Sequence, residues 1–204
     1  MKTVLTAVVT LAASLATAPL MAAPAVGQPA PDFKLTDSNG QARSLSDFKG
    51  KTVVLEWTNP GCPFVQKHYD SANIPGQQKT STGKDVVWLS INSSAKGQQG
   101  DVDAATANKG LANWKAAQTA YLFDRDGKVG HLYAARTTPN LYVIDGQGVL
   151  RYMGAIDSIA SANPADIAKA TQYVPTALAE MAAGKPVSKA VTQPYGCSVK
   201  YSDG

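Results

Sequence analysis

Cysteine is scarce in this sequence: two residues in 204, Cys62 and Cys197, so only one intramolecular pairing can exist. Clusters of Lys or Arg are also missing. The excess of 19 basic over 15 acidic residues is small, the charges form no stripe and the aromatics are dispersed through apolar segments. This excludes a surface that tracks phosphates, so no nucleic-acid partner is expected. Long hydrophobic runs are confined to the amino-terminal end, and even there Thr and Ser interrupt the run, which disfavours a retained membrane anchor. No internal repeat occurs, and no low-complexity block outside that alanine-rich start. One domain with a sizeable core is the simplest organisation for what remains. No pair among Cys62, Cys197, His68 and His131 has the tight spacing of a metal site, so neither metal nor cofactor is expected.

What the amino-terminal end does contain reads as an address. Lys2, the apolar stretch Val4 to Leu11 and the Ala-rich run to Ala23 have the charged start, short apolar core and small-residue end of a secretory signal over residues 1–23. Cleavage is expected after Ala22 or, by the pattern Ala23-Pro24-Ala25, after Ala25, and no cysteine stands near this boundary to take a lipid. The expectation is an exported protein, periplasmic or secreted and free of the membrane after processing. Without Lys2, 18 basic residues face 15 acidic ones, a net charge of +3. Both cysteines lie in the exported part, where disulfides persist. A bond between them would close a 135-residue loop, worth about 5 kcal/mol in the chain-entropy description.

The densest chemical signal is Trp57-Thr58-Asn59-Pro60-Gly61-Cys62-Pro63-Phe64. Thr52 to Trp57 reads as a buried strand, Asn59-Pro60-Gly61 as a turn, and Pro63 as the first residue of a helix, where a fixed φ and a missing N–H cost nothing. Cys62 then falls at the helix N-cap. Unpaired backbone N–H groups and the positive end of the helix dipole favour its thiolate, the form that attacks disulfides and peroxides. The expectation is an exposed, ionisable sulfur. Its alternative is half of an inert disulfide or a buried small apolar residue.

Around this segment the pattern predicts a hairpin (Asp32 to Thr36 and Arg43 to Leu45) across Asp37-Ser38-Asn39-Gly40. A helix from Pro63 to about Ser71 is interrupted at Pro75-Gly76, with a further turn running to Thr80. Val86 to Ile91 reads as a strand covered on both faces. A helix over Val102 to Ala117, a short strand at Tyr121 to Phe123, a turn at Asp124 to Gly127 and a short helix over Val129 to Ala135 follow. The Asp124-to-Gly127 segment lacks the further ligands of a calcium loop. A second hairpin joins Leu141–Ile144 to Val149–Met153, and an amphipathic helix over Ala165 to Ala183 is expected to bend at Pro175. The tail from Lys185 has no clear periodicity. Strands alternating with helices, then a hairpin and a closing helix, give an α/β fold with a mixed central sheet flanked by helices. Cys62 would sit at the carboxyl end of a parallel strand, where such sheets place their chemistry.

The order of these motifs resembles the thioredoxin-like superfamily. The resemblance is to its redoxin branch of exported thiol-disulfide proteins and peroxiredoxin-like proteins of the alkyl hydroperoxide reductase and thiol-specific antioxidant type. It is carried by Pro31-Asp32-Phe33-Lys34-Leu35-Thr36-Asp37 with Asn39-Gly40, and by Leu45-Ser46-Asp47-Phe48-Lys49-Gly50-Lys51. The strand before Cys62, Thr137-Thr138-Pro139, and Tyr142-Val143-Ile144-Asp145 with Gly148 complete it. It implies a thioredoxin-like domain over residues 29–183 with an N-terminal β-hairpin, and a C-terminal extension over 184–204 that carries Cys197. It also implies a cis bond before Pro139, which would face Cys62, and contact of Thr138, Pro139 and Pro63 with an extended peptide or partner sulfur. Two positions depart from the pattern. Val65 stands where thioredoxins carry a second Cys, and Asn59 where peroxiredoxins carry Thr, with Arg136 in the region of the peroxide-holding Arg.

The function this implies is thiol-disulfide exchange or peroxide reduction: Cys62 attacks, Cys197 resolves, and the partner is a thiol protein or a peroxide. The alternative reading of Cys197 is a permanent staple. Glu56, six residues before Cys62, has the spacing at which thioredoxins bury a proton-shuttling acid, and burial would raise its pKa. Its plainer reading is a strand-end acid that reaches water or a Lys. Lys67 and His68 fall on the helix beyond its N-terminal turn, where His68 reads as a surface or capping group, and Trp57, Trp88 and Trp114 read as core. A non-catalytic binding module with a Cys62–Cys197 disulfide, or a copper-handling protein, are the rivals.

Overall fold

The computed structural model describes residues 23–202; the signal segment expected over residues 1–23 lies outside them but for Ala23. The chain runs β1 (Lys34–Asp37), β2 (Ala42–Ser44), β3 (Val53–Trp57), α1 (Pro63–Asp70), α2 (Asn73–Thr82), β4 (Val87–Asn92) and α3 (Ala104–Asn113). It continues through β5 (Ala120–Phe123), α4 (Lys128–Leu132), β6 (Thr137–Thr138), β7 (Asn140–Ile144), β8 (Leu150–Gly154), α5 (Tyr173–Ala182) and β9 (Cys197–Ser198). Seven strands form one mixed sheet in the order β2-β1-β5-β4-β3-β7-β8, and β6 pairs with β9 in a separate two-stranded ribbon. The β3–β4 and β4–β5 pairs are parallel; the pairs at either side are antiparallel.

Every residue of β3 is buried, as expected of a central strand covered on both faces. Period-two alternation divides it. Val53, Leu55 and Trp57 pack with Phe33, Val129, Tyr133 and Leu150, whereas Val54 packs with Val65 and Tyr69 of α1, Ile74 of α2 and Val174 of α5. Glu56, two residues on from Val54, therefore faces the layer of α1 and α2.

Three helix expectations change. Pro75 does not interrupt a helix but sits in the first turn of α2, where its missing N–H has no intrahelical partner to lose. The break lies upstream, at Ala72 with φ +57°. The helix expected over Ala165 to Ala183 is divided into a 3-10 segment, Pro164–Lys169, and α5, because the chain is extended at Ala170 (ψ 144°) and Gln172 (ψ 108°). Pro175 again falls in a first turn rather than at a bend. α3 is shorter than Val102 to Ala117: Asp103 caps it by accepting from Thr106 N, and Lys115 at φ +52° ends it.

Candidate functional site

β3 delivers the chain to a turn that is built before the helix begins. Asn59 is buried, and its Oδ1 accepts from Gly61 N at 2.8 Å while its Nδ2 donates to Gln99 O at 3.1 Å. Gln99 Nε2 returns a bond to Gly61 O at 2.8 Å. Asn59 thus holds the loop, as Asx turns do. Cys62 follows as the N-cap of α1, in extended conformation (φ −88°, ψ 123°), with Pro63 at the first helical position.

Opposite this cap, the Thr138–Pro139 bond is cis, and Cys62 Sγ lies 3.2 Å from Thr138 O. Cys197 joins Cys62 in a disulfide, with Cα atoms 5.9 Å apart. Cys197 arrives as part of β9, which pairs antiparallel with β6 in the register Thr137↔Ser198 and Thr138↔Cys197. Val199 N donates to Arg136 O at 3.1 Å, and Lys200 O accepts from Ala95 N at 2.8 Å. Gly196 makes this approach possible: at φ +132°, a Cβ there would collide with Thr138 O.

The expectation of an exposed Cys62 sulfur is therefore corrected. Cys62 is fully buried, since Cys197 and Tyr195 pack against the cluster that contains it, while Cys197 itself is half-buried. Pro63 is exposed beside it; Thr138 and Pro139 are buried.

Glu56 is fully buried too, and reaches neither water nor a Lys. Its carboxylate accepts from Trp88 Nε1 at 2.7 Å, Tyr69 Oη at 2.9 Å, Ser90 Oγ at 3.0 Å and Gln78 Nε2 at 3.3 Å. Burial raises its pKa above the ordinary value, and these four donors oppose the rise.

The reading of His68 as a surface or capping group is overturned, and Lys67 is enclosed with it. Both are buried, together with Asp157 from the loop after β8. Lys67 Nζ lies 3.8 Å from Asp157 Oδ2 and donates to Ser161 O at 2.9 Å. Tyr195 Oη donates to Asp157 Oδ1, and the Tyr195 ring meets Phe64 edge-on at 5.9 Å. His68 Nδ1 is 2.8 Å from Asn73 Nδ2, an amide donor whose Oδ1 is taken by Gln77. The proton of the neutral ring is thus on Nε2, facing Tyr195 Oη at 3.3 Å and Asp157 Oδ2 at 3.8 Å. Burial pulls the His68 pKa down to about 4, against the attraction of Asp157 and with the help of Lys67.

Asp157 and Tyr195 carried no signal in the sequence. Tyr195 stands two residues before Cys197, and only knowledge of the β6–β9 pairing reveals that it is anchored. His131 stacks on Tyr201 at 4.0 Å, outside this cluster. Among the described residues no group of three His, Cys, Asp or Glu side chains is placed to hold a metal ion. A surface cavity of about 1540 Å³, lined by Asn73, Gln77, Lys84, Arg151, Met181 and Pro186 among others, includes neither cysteine.

A cysteine capping the helix that follows a central parallel strand, faced by a cis-proline loop on a mixed sheet, defines a thioredoxin-like fold of the redoxin kind. The chain belongs to the AhpC/TSA family, whose family model matches residues 26–153. That match includes Cys62 and ends before α5 and Cys197. The chain is 32% identical over 130 residues to a Helicobacter pylori protein named "Putative peroxiredoxin bcp", covering 62% of this chain and 76% of that one. It is 27% identical over 117 residues to a thiol-disulfide oxidoreductase ResA of Bacillus cereus, covering 51% of this chain and 66% of the relative. In fold it is similar to a hypothetical protein of Sinorhizobium meliloti 1021, with a TM-score of 0.75 at 21% identity over 90% of this chain and 98% of the other. Among the described residues no helix is long and apolar enough to cross a membrane.

Proposed function

We propose that the protein is an exported thiol-disulfide oxidoreductase in which Cys62 is the attacking thiol and Cys197 the resolving one. The observation that carries this reading is the covalent pairing of a helix-capping cysteine with a tail cysteine across the cis-proline loop. In the reduced protein, the Cys62 thiolate attacks a partner disulfide, forming a mixed disulfide and releasing the partner's second sulfur as a thiolate. Cys197 then attacks the Cys62 sulfur, the Cys62–Cys197 bond forms, and the partner leaves as a dithiol. Two electrons pass from the protein to the partner. The second step is favoured because the resolving thiol is held at high effective concentration by its own chain.

Exchange with thiols is preferred here to peroxide reduction. Asn59 spends both ends of its amide on the loop, and Arg136 is exposed, so neither is arranged as a peroxide clamp. Glu56 serves as the buried acid that takes up or returns the thiol proton, and Thr138, Pro139 and Pro63 border the sulfur where a partner chain docks. Residues 29–183 form the redox domain and 184–204 the tail that carries Cys197. Export follows from the signal-like residues 1–23 and from a disulfide suited to an oxidising compartment.

Cys197→Ser tests the assignment. Partner adducts should accumulate on Cys62 in this variant, and a Cys62 that forms no adduct with any disulfide refutes it. The complete burial of Cys62 favours a second reading, a binding module with a permanent disulfide. Reducibility separates the two: a structural bond titrates below about −300 mV, a working one at the higher potentials of exchange catalysts.

A further inference from the structure

The tail makes, within one molecule, the contacts that a docked polypeptide would make. Residues 197–198 are extended and pair in antiparallel register with Thr137–Thr138, which is strand addition to a short edge. Gly196 lets the backbone pass against Thr138 and Pro139. Tyr195 fills a cleft formed by Phe64, Lys67, His68 and Asp157, with Lys67 Nζ 5.9 Å from the ring centroid. The cleft supplies a buried carboxylate for the phenol proton, an aromatic edge and a cation. It leaves Asp157 Oδ2 without a hydrogen-bond partner. A mere staple needs none of this apparatus, since a disulfide alone would fix the tail.

We propose that this groove is a binding site for extended polypeptide thiols of the form aromatic-Gly-Cys, and that residues 195–199 are its built-in occupant, displaced during exchange. The inference rests on the oxidoreductase reading and names the class of thiol that reduces its Cys62–Cys197 bond, the reverse of the exchange written above. In the oxidised protein, the partner's thiolate attacks Cys62 Sγ. The Cys62–partner bond forms, Cys197 departs as a thiolate, and the partner strand takes the register on β6 that the tail gives up. A second partner thiol then attacks the partner's own sulfur in the mixed disulfide. Cys62 is released as a thiolate, the partner leaves with a disulfide, and the protein is left with two reduced cysteines.

The test uses full-length protein with Cys197→Ser, its Cys62 loaded with thionitrobenzoate from Ellman's reagent. The probe is a capped synthetic peptide with the sequence of residues 193–200, whose thiol displaces the coloured thionitrobenzoate thiolate. We expect displacement about tenfold faster than with the same peptide carrying Ala for Tyr, the factor set by one hydrogen bond to a buried carboxylate. The peptide carrying Ala for Gly should be slower still. Adding Tyr195→Ala to the protein should accelerate the native peptide, because the resident strand no longer competes. Equal rates for the three peptides overturn the groove, and so does the absence of acceleration in the double variant. Failure of Cys62 to take up thionitrobenzoate at all overturns the oxidoreductase reading instead.

Discussion

Helix α1 contributes to two buried polar clusters that follow opposite plans. At Glu56, Tyr69 from α1 joins Gln78, Trp88 and Ser90, and the four neutral donors all meet one carboxylate. Every member comes from the sheet or the two helices beside it. At Asp157, Lys67 and His68 from the same helix meet a tyrosine carried in by the tail, and one carboxylate oxygen has charged neighbours at 3.8 Å but no hydrogen bond. A saturated network in low dielectric rigidifies its surroundings, whereas a partly satisfied one is costly and sensitive to change. The first is a fixture of the fold. The second is a clasp, complete only while the tail is down.

Reducing the disulfide should separate the two most sharply. Opening a 135-residue loop removes up to about 5 kcal/mol of chain-entropy stabilisation, read as a shift of the denaturation midpoint with and without dithiothreitol. Amide exchange should rise at residues 195–199 and 157–161, while the backbone around Glu56 stays protected. Equal loss of protection at both clusters would erase the distinction. Next in size, Glu56→Ala strands the Trp88, Tyr69, Ser90 and Gln78 donors in the core, at a cost of about 3 to 5 kcal/mol. Glu56→Gln, which keeps the shape, should cost less than half as much by urea denaturation.

The contrast explains what the sequence shows and what it hides. The fixture is legible only in part: Glu56 stands in an apolar run that reads as a buried strand and Trp88 reads as core, whereas the donors Tyr69, Gln78 and Ser90, 13 to 34 positions away, carry no signal. The cis geometry at Pro139 comes from family resemblance, since an X-Pro pair alone rarely signals it. The clasp depends on contacts between distant segments, with Tyr195 meeting His68 across 127 positions. Lys67 and His68 are covered by the loop after β8, through Asp157 and Ser161, by Asn73 of α2 and by Tyr195 of the tail, segments that no local pattern brings together. The same pairing explains why Cys62 is covered, although N-cap placement argued for access.

Acid titration is the third test, and its sign differs between the clusters. His68 has a folded pKa of about 4 against an ordinary 6.5, so below pH 6.5 the unfolded chain takes a proton that the folded protein refuses until about pH 4. Stability should fall across that window by about 3 kcal/mol. Glu56, raised by burial, acts the other way: its contribution is greatest below its ordinary pKa and declines as pH rises through the folded value. His68→Gln should flatten the acid limb if the clasp causes it.

The smallest effect belongs to Tyr195→Phe, which keeps the ring against Phe64 and deletes only the hydroxyl that donates to Asp157. A hydrogen bond to a buried carboxylate contributes about 1.5 to 3 kcal/mol, but the loss falls on a segment already tied by a disulfide. The oxidised protein should therefore lose no more than about 2 kcal/mol of global stability. Its clearest signature is local: the Cys62–Cys197 bond should be reduced more readily, because the tail that returns Cys197 to Cys62 is less well held. A redox titration of Tyr195→Phe beside the parent protein checks this. A shifted potential with nearly unchanged unfolding makes the clasp part of the redox couple, whereas an unchanged potential makes Tyr195 packing alone.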